Sequence, residues 1–411
     1  MLPLLSVLLL AAGLHQPAVP VFDVTSCKGS YSDDDYEAMT QVREVAEARV
    51  AFPASYMFAP RDEGTHPGML LLHGSEGGRW SVLSMCDARW YAAHGFVAMF
   101  LCYSDCGNDA LPEAIHMVDL GRTYDALQYV KNSPYVAGRK VALTGGSRGA
   151  EQALVLATFL ARHSSTGRAR AGEPVSIPDA VYVHAPFGRI VGDFNWRWDA
   201  ADWRWARWIR AKLACLRDDP NGPYVYTDQT GILRHLAWIP DNADLKCSVR
   251  PALSNEDCRD YSAADGPYTD PATHRRYSWR EDLCGVGGDP AGDWRVGQAW
   301  TWRGDASELA TASEIPLQQY QGPLLVAQGM DDDVWSIGSG TKWLEATLGR
   351  EGIRFDERVF PQWRAVPSPL PELPDTRVTF TIYDGEHHGF GPVAAEVERT
   401  LELRFLERTL H

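Results

Sequence analysis

Short, unbroken apolar runs alternate along this chain with stretches of helical periodicity. Residues 69–72 form one such run, ending at His73-Gly74, and 96–101, 140–143 and 180–183 form three more. A run without polar alternation is the form of a strand buried on both faces, as in a parallel sheet. Helices are predicted between the runs at about 83–94, 113–131 and 148–163, the last keeping Leu154, Leu156 and Leu160 on one stripe. A further strand is predicted at 323–328, a helix at 341–350, a strand at 378–383 and a closing amphipathic helix at 393–408. Prolines 361, 367, 369, 371 and 374 mark a loop on the rim of the sheet. Strand and helix in alternation specify an α/β fold, a mostly parallel sheet with helices on both faces.

Between about 191 and 304 the alternation stops. Ten of the 15 Trp and four of the eight Cys fall in this interval. It is far longer than an ordinary connection, so the chain divides into a core, first part, at 21–190, a Trp-rich cap insertion at 191–304, and a core, second part, at 305–411. The insertion leaves the sheet at the edge where a ligand would bind, which makes it a candidate lid. Within it, NWRWDAADWRWARWIR at 195–210 places Trp198, Trp205 and Trp208 on one helical stripe, with Arg204, Arg207 and Arg210 offset. A lid helix, a purely structural helix and a membrane-surface helix all fit that pattern, the last weakened by Asp199 and Asp202. Broad indole faces suit aromatic or sugar-ring substrates.

The first 20 residues read as a signal peptide. Residues 2–12 are apolar apart from Pro3 and Ser6, and small residues follow at Ala11 and Gly13. The stretch before the apolar run has no Lys or Arg, so an unprocessed start is the competing reading. Eight cysteines, an even number, are compatible with four disulfides in an oxidising compartment. Cys102/Cys106 and Cys247/Cys258 are close enough in sequence to pair. The alternative is a cytosolic protein with reduced, buried thiols. No Cys/His spacing resembles a zinc site. Lys and Arg number 39 against 54 Asp and Glu, a net charge of −15. Such a chain repels phosphate backbones and anionic lipid, so no nucleic-acid partner is expected and no membrane contact after signal removal.

The chemistry concentrates at three places. Gly145-Gly146-Ser147-Arg148-Gly149 is a G-x-S-x-G between a predicted buried strand and a predicted helix, the context a nucleophile elbow requires. A serine hydroxyl is a weak nucleophile and needs a base, which in turn needs an orienting acid. Gly329-Met330-Asp331-Asp332-Asp333 follows the strand at 323–328, and the G-x-x-D spacing selects Asp332. His387-His388-Gly389 follows the last strand, and the glycine permits close approach at His388. Negative charge developing on a carbonyl oxygen calls for waiting donors. The backbone N–H of Arg148 is one; Ser75, in the glycine-rich loop after the first strand, supplies the other, with Glu76 as its neighbouring alternative. The set calls for no metal and no organic cofactor.

With these motifs the chain resembles α/β-hydrolases of the dienelactone hydrolase type. It is most similar to the C-terminal domain shared by acyl-CoA thioesterases and bile acid-CoA:amino acid N-acyltransferases. The residues that carry the resemblance are GSEGG at 74–78, AAHGF at 92–96, GGSRGAE at 145–151, Gly329-x-x-Asp332 with Trp335, and Tyr-x-Gly-x-x-His-Gly-Phe ending at Phe390. The resemblance implies a Ser–Asp–His triad that hydrolyses esters or thioesters, or passes the acyl group to an amine. The large insertion, and a segment at 21–60 too short for the β-sandwich that precedes this domain in the thioesterases, depart from the family pattern. The expectation is therefore an exported serine hydrolase acting on a small-molecule carboxylic ester. A thioesterase or acyltransferase is the alternative, and an inactive hydrolase fold used as a binding module a second.

Overall fold

The computed structural model describes residues 22–164, 175–190, 299–304 and 315–411, except 79–80, 108–110, 113–114, 116, 189, 333–336, 338–339 and 387, together with 268–269 and 276–277. The helix expected within 195–210, the signal peptide at 1–20, Asp333, Trp335 and His387 lie outside the described residues.

A nine-stranded sheet organises the molecule. Its strands are β1 (Arg43–Glu44), β2 (Tyr56–Ala59), β3 (His66–Leu72), β4 (Val97–Leu101), β6 (Val136–Gly146), β7 (Ala180–His184), β11 (Leu324–Gly329), β12 (Asp356–Phe360) and β13 (Val378–Tyr383). They lie in the order β1-β2-β4-β3-β6-β7-β11-β13-β12. β5 (Val118–Asp119) with β10 (Trp300–Thr301), and β8 (Tyr268–Thr269) with β9 (Arg276–Tyr277), form two short pairs outside this sheet, and helices α1 (Asp33–Thr40) and α2 (Glu47–Ala51) precede β2. Pairing is antiparallel at β1/β2 and β2/β4 and parallel elsewhere. Every residue of β4, β11 and β13 is buried; β4 is apolar throughout, while Gln328 in β11 and Thr379 and Thr381 in β13 are buried polar residues. In β3 the side chains alternate between two cores. Leu70 and Leu72 join one cluster with residues of α4 (Leu120–Lys131) and α5 (Arg148–Ser164), while Met69 and Leu71 join the other with α3 (Val82–Ala93). The closing helix, Pro392–Leu410, packs on the α3 side through Val397, Leu401 and Phe405. The layers and the parallel core match the expected α/β architecture.

The departures from expectation have local causes. The helix expected from 113 begins only at Leu120, because Val118–Asp119 (β5) pairs with Trp300–Thr301 (β10) and the Asp119 side chain caps the helix at the Gly121 N–H. Trp300, which the sequence reading assigns to the insertion, is fully buried in the α/β core. The edge strands β1 and β12, and β2 inside β1, are not marked in the sequence reading; β1 has two residues, and β12 reads DERVF, too polar to register as a buried run. The helix at 341–350 is present as Thr341–Arg350. Of the cysteines, Cys102 pairs with Cys106, and Cys27 pairs with Cys86 across 59 residues, a link that proximity in sequence could not suggest. Cys247 and Cys258 lie outside the described residues.

Strand order reverses direction around β3: the chain runs outward to β4 and then returns to β6 on the other side. At such a switch point the loops after the neighbouring strands diverge and leave a crevice at their carboxyl ends. The loop after β3 and the turn after β6 flank that crevice.

Candidate active site

Ser147 stands between the end of β6 and the first residue of α5 with φ of 54°. A left-handed backbone at a non-glycine residue costs about 1–2 kcal/mol and has to be held by its surroundings. Here the Ser147 N–H donates to the His184 carbonyl at 3.0 Å, and the Ser147 carbonyl accepts the first helical bond from the Glu151 N–H at 3.1 Å. The flanking glycines are obligatory for steric reasons. A Cβ on Gly145 would lie 2.5 Å from the backbone of Gly149, and one on Gly149 would lie 2.4 Å from the His73 carbonyl oxygen.

Asp332 and His388 arrive from the next loops along the sheet. Asp332 follows β11 and is buried, whereas the neighbouring Asp331 is exposed and ties its N–H to the Glu386 carbonyl at 3.0 Å. His388 follows β13, which pairs with β11 in parallel register. Its Nδ1 lies 3.1 Å from each Asp332 carboxylate oxygen. A carboxylate flanking Nδ1 fixes the ring so that Nε2 is the nitrogen left to face a substrate. Ser147 and His388 line one cavity of about 450 Å³, together with Gly74, Glu76, His184 and Phe390.

The loop after β3 is held from several sides. The Gly74 N–H donates to Glu76 Oε1 at 3.0 Å, and Glu76 Oε1 also accepts from the Ser81 hydroxyl at 2.5 Å. That commits the Gly74 amide and leaves Ser75 and Glu76 as the loop's candidate oxyanion donors. Gly74 and Glu76 line the cavity and Ser75 does not. The other end of the loop rests on the Cys102–Cys106 disulfide: the Gly78 N–H donates to the Ser104 carbonyl at 2.9 Å, and a Cβ on Gly78 would overlap Cys102 Sγ. Arg148, whose backbone N–H is the expected second donor, turns its side chain into the core. There it meets Glu151 Oε2 at 2.7 Å and lies 5.3 Å from the Trp300 ring centroid. Trp300 Nε1 donates to the other Glu151 oxygen at 2.7 Å.

Two supporting residues escaped the sequence reading. Gln328, at the end of β11, donates through Nε2 to Asp332 Oδ2 at 3.2 Å and accepts through Oε1 from the Thr341 N–H at 2.8 Å. It bridges the acid to the start of the 341–350 helix. His73 is fully buried and stacked on Tyr103 with ring centroids 3.8 Å apart. Because the Gly74 carbonyl can only accept, His73 Nδ1 donates to it at 2.8 Å, while Nε2 accepts from the Tyr103 N–H at 3.3 Å. Burial, outweighing the pull of Glu76 and the Gly74 bond, holds this imidazole down at about 4, so it stays neutral. The sequence signal for His73 is a polar residue ending an apolar strand; Gln328 stands inside a run that is otherwise apolar and gives none.

The sheet order, the strained serine turn and the histidine–carboxylate pair are together the arrangement of the α/β-hydrolase fold. Residues 118–191 match the family described as BAAT / Acyl-CoA thioester hydrolase C terminal, and over such a stretch the chain is close to acyl-CoA thioesterase C-terminal domains. It is 31% identical over 122 residues to the peroxisomal succinyl-coenzyme A thioesterase of Mus musculus, covering 30% of this chain and 27% of that protein. It is 35% identical over 106 residues to acyl-coenzyme A thioesterase 6 of Homo sapiens, covering 25% and 23%. The chain thus spans about a quarter of the length of these relatives. Carboxyl esterase 2 of Tuber melanosporum aligns over 90% of this chain and 86% of its own, at 14% identity and a TM-score of 0.40, which adds nothing to the strand order.

Proposed function

We propose that this chain is a serine hydrolase that cleaves a small-molecule carboxylic ester through an acyl-enzyme. Ser147 attacks the carbonyl carbon, His388 takes the hydroxyl proton and returns it to the departing alcohol, and Asp332 orients the ring and stabilises its cationic form. Water, activated by the same histidine, then releases the acid. The N–H of Arg148 and that of Ser75 or Glu76 receive the oxyanion. The reading is carried by one observation: His388 Nδ1 sits 3.1 Å from both Asp332 oxygens while the same histidine and Ser147 line one cavity.

A thioester substrate is the second reading, favoured by the match of residues 118–191 to the acyl-CoA thioester hydrolase C-terminal family and by the partial likeness to proteins named acyl-CoA thioesterases. Both readings share the acyl-enzyme and differ in the leaving group. Export to an oxidising compartment is a further part of the proposal, supported by the Cys27–Cys86 and Cys102–Cys106 pairs. The deciding experiment sets p-nitrophenyl esters, acetylated sugars and acyl-CoA thioesters side by side, with fluorophosphonate labelling of Ser147. Ester turnover with labelling supports the first reading, and preferential thioester turnover the second. A folded protein that neither labels nor turns over any of them is a binding module instead.

A further inference from the structure

The loop that carries the candidate oxyanion donors reads GSEGG at 74–78, with glycine at three of its five positions. Backbone of that composition has little conformational preference of its own. An N–H held ready for an oxyanion therefore has to be fixed from outside the loop, and the fixing comes from one short segment. Residues 102–106, just past β4, are closed into a ring by the Cys102–Cys106 disulfide.

The ring holds the loop at both ends. Tyr103 grips the start: its hydroxyl donates to the His73 carbonyl at 2.6 Å, its N–H donates to His73 Nε2 at 3.3 Å, and its ring stacks on the imidazole. Ser104 grips the end, where its carbonyl accepts from the Gly78 N–H at 2.9 Å. Between these points Gly77, at φ 82°, lies so close that a Cβ on it would come within 2.6 Å of the Asp105 Cβ. The ring is itself anchored, by the Cys102 N–H on the Ser55 hydroxyl at 3.0 Å and the Asp105 N–H on the Pro112 carbonyl at 2.7 Å. Cys102, Tyr103, Ser104 and Cys106 are all buried, and none of 102–106 is among the described residues that line the cavity. Loop-closure entropy grows with the length of chain enclosed. A bond across four residues thus adds less to global stability than Cys27–Cys86 does across 59, and acts chiefly on local shape.

We infer that the disulfide-closed ring at 102–106 is the positioning element of the oxyanion loop, with Tyr103 and Ser104 holding the two ends between which the Ser75 or Glu76 N–H waits. The rate of the chemical step then depends on the Cys102–Cys106 bond, and substrate affinity does not. The inference rests on the serine-hydrolase reading above and gives a positioning role to residues outside the triad. An oxyanion donor is useful only where the charge will form, and misplacing a catalytic group by about 1 Å costs on the order of 10²-fold in rate.

The test opens the ring with Cys102→Ser/Cys106→Ser. For the preferred p-nitrophenyl ester kcat should fall about tenfold or more, with KM changed less than about twofold. Affinity for a trifluoromethyl ketone, whose tetrahedral adduct carries the oxyanion, should fall by the same factor as kcat/KM. Cys27→Ser/Cys86→Ser, which removes the wider link, should lower stability and leave both readings unchanged. Tyr103→Phe, which loses only the hydroxyl bond to His73, should lower kcat about fivefold, and it decides the matter if the double variant fails to fold. An unaltered kcat in the folded ring-opened variant, or an equal loss in Cys27→Ser/Cys86→Ser, overturns the inference. So does an unaltered kcat in Tyr103→Phe where the ring-opened variant does not fold. If the unaltered protein cleaves no ester and Ser147 takes no fluorophosphonate, the hydrolase reading fails separately. Hydrogen exchange at the amides of 74–78 then reads the ring's hold on the loop: faster exchange in Cys102→Ser/Cys106→Ser supports it, and an equal rate ends it.

Discussion

His388 Nδ1 and the Asp332 carboxylate meet at 3.1 Å to each oxygen although 56 residues separate them in sequence. Parallel pairing of β11 with β13 makes the meeting possible, since both residues lie just past the carboxyl ends of adjacent strands. The one Nδ1–H is shared between the two carboxylate oxygens, and Gln328 Nε2 donates to Oδ2 of the same carboxylate.

Ser147→Ala or His388→Ala should lower kcat/KM for the preferred ester by roughly 10³-fold or more, and Asp332→Asn by nearly as much. Steady-state kinetics with circular dichroism checks this. A mild Asp332→Asn beside a crippling Asp333→Asn would move the acid to the next residue.

Gly149→Ala should cost about 3 kcal/mol of stability, because the added methyl meets the rigid backbone oxygens of His73 and Leu72 rather than a movable side chain. Thermal unfolding reads it. An unchanged midpoint would mean that the elbow is not packed as described.

The neutral His73 makes stability depend on pH. Its folded value, about 4, lies below the ordinary 6.5. As pH falls from about 6.5 towards 4 the unfolded chain takes up a proton that the folded one refuses, so stability is lost across that window, on the order of 2–3 kcal/mol. Protonation would also put an N–H on Nε2 facing the Tyr103 N–H. Denaturant titrations at pH 7 and pH 4.5 measure the loss, and in His73→Asn the part due to this residue should vanish.

Gln328→Leu leaves one Asp332 oxygen and the Thr341 N–H without this partner. It should cost about 1–3 kcal/mol of stability and lower kcat more than it raises KM, since Asp332 then holds the His388 ring less firmly. Equal stability and an unaltered kcat would deny Gln328 its positioning role.

Reducing Cys27–Cys86, which closes a loop of 59 residues, should destabilise the fold by about 4 kcal/mol on loop-closure grounds. Unfolding of Cys27→Ser/Cys86→Ser against the unaltered protein measures it. No change would show that the link merely decorates contacts already made.

The sequence by itself determined the layers of this protein and the three motifs that meet at its candidate site. Strands buried on both faces are written mostly in apolar residues, and the serine on this left-handed turn has glycines on either side where a Cβ would collide, so both leave marks that can be read locally. Tertiary structure decided what depends on distant pairs. It placed Asp332, and not the exposed Asp331, against His388, brought Cys27 to Cys86, seated Trp300 on Glu151 inside the core, and set Gln328 and His73 behind the loops of the candidate site. None of these follows from spacing along the chain, because a hydrogen bond or a disulfide records only where two side chains end up once the sheet has been assembled.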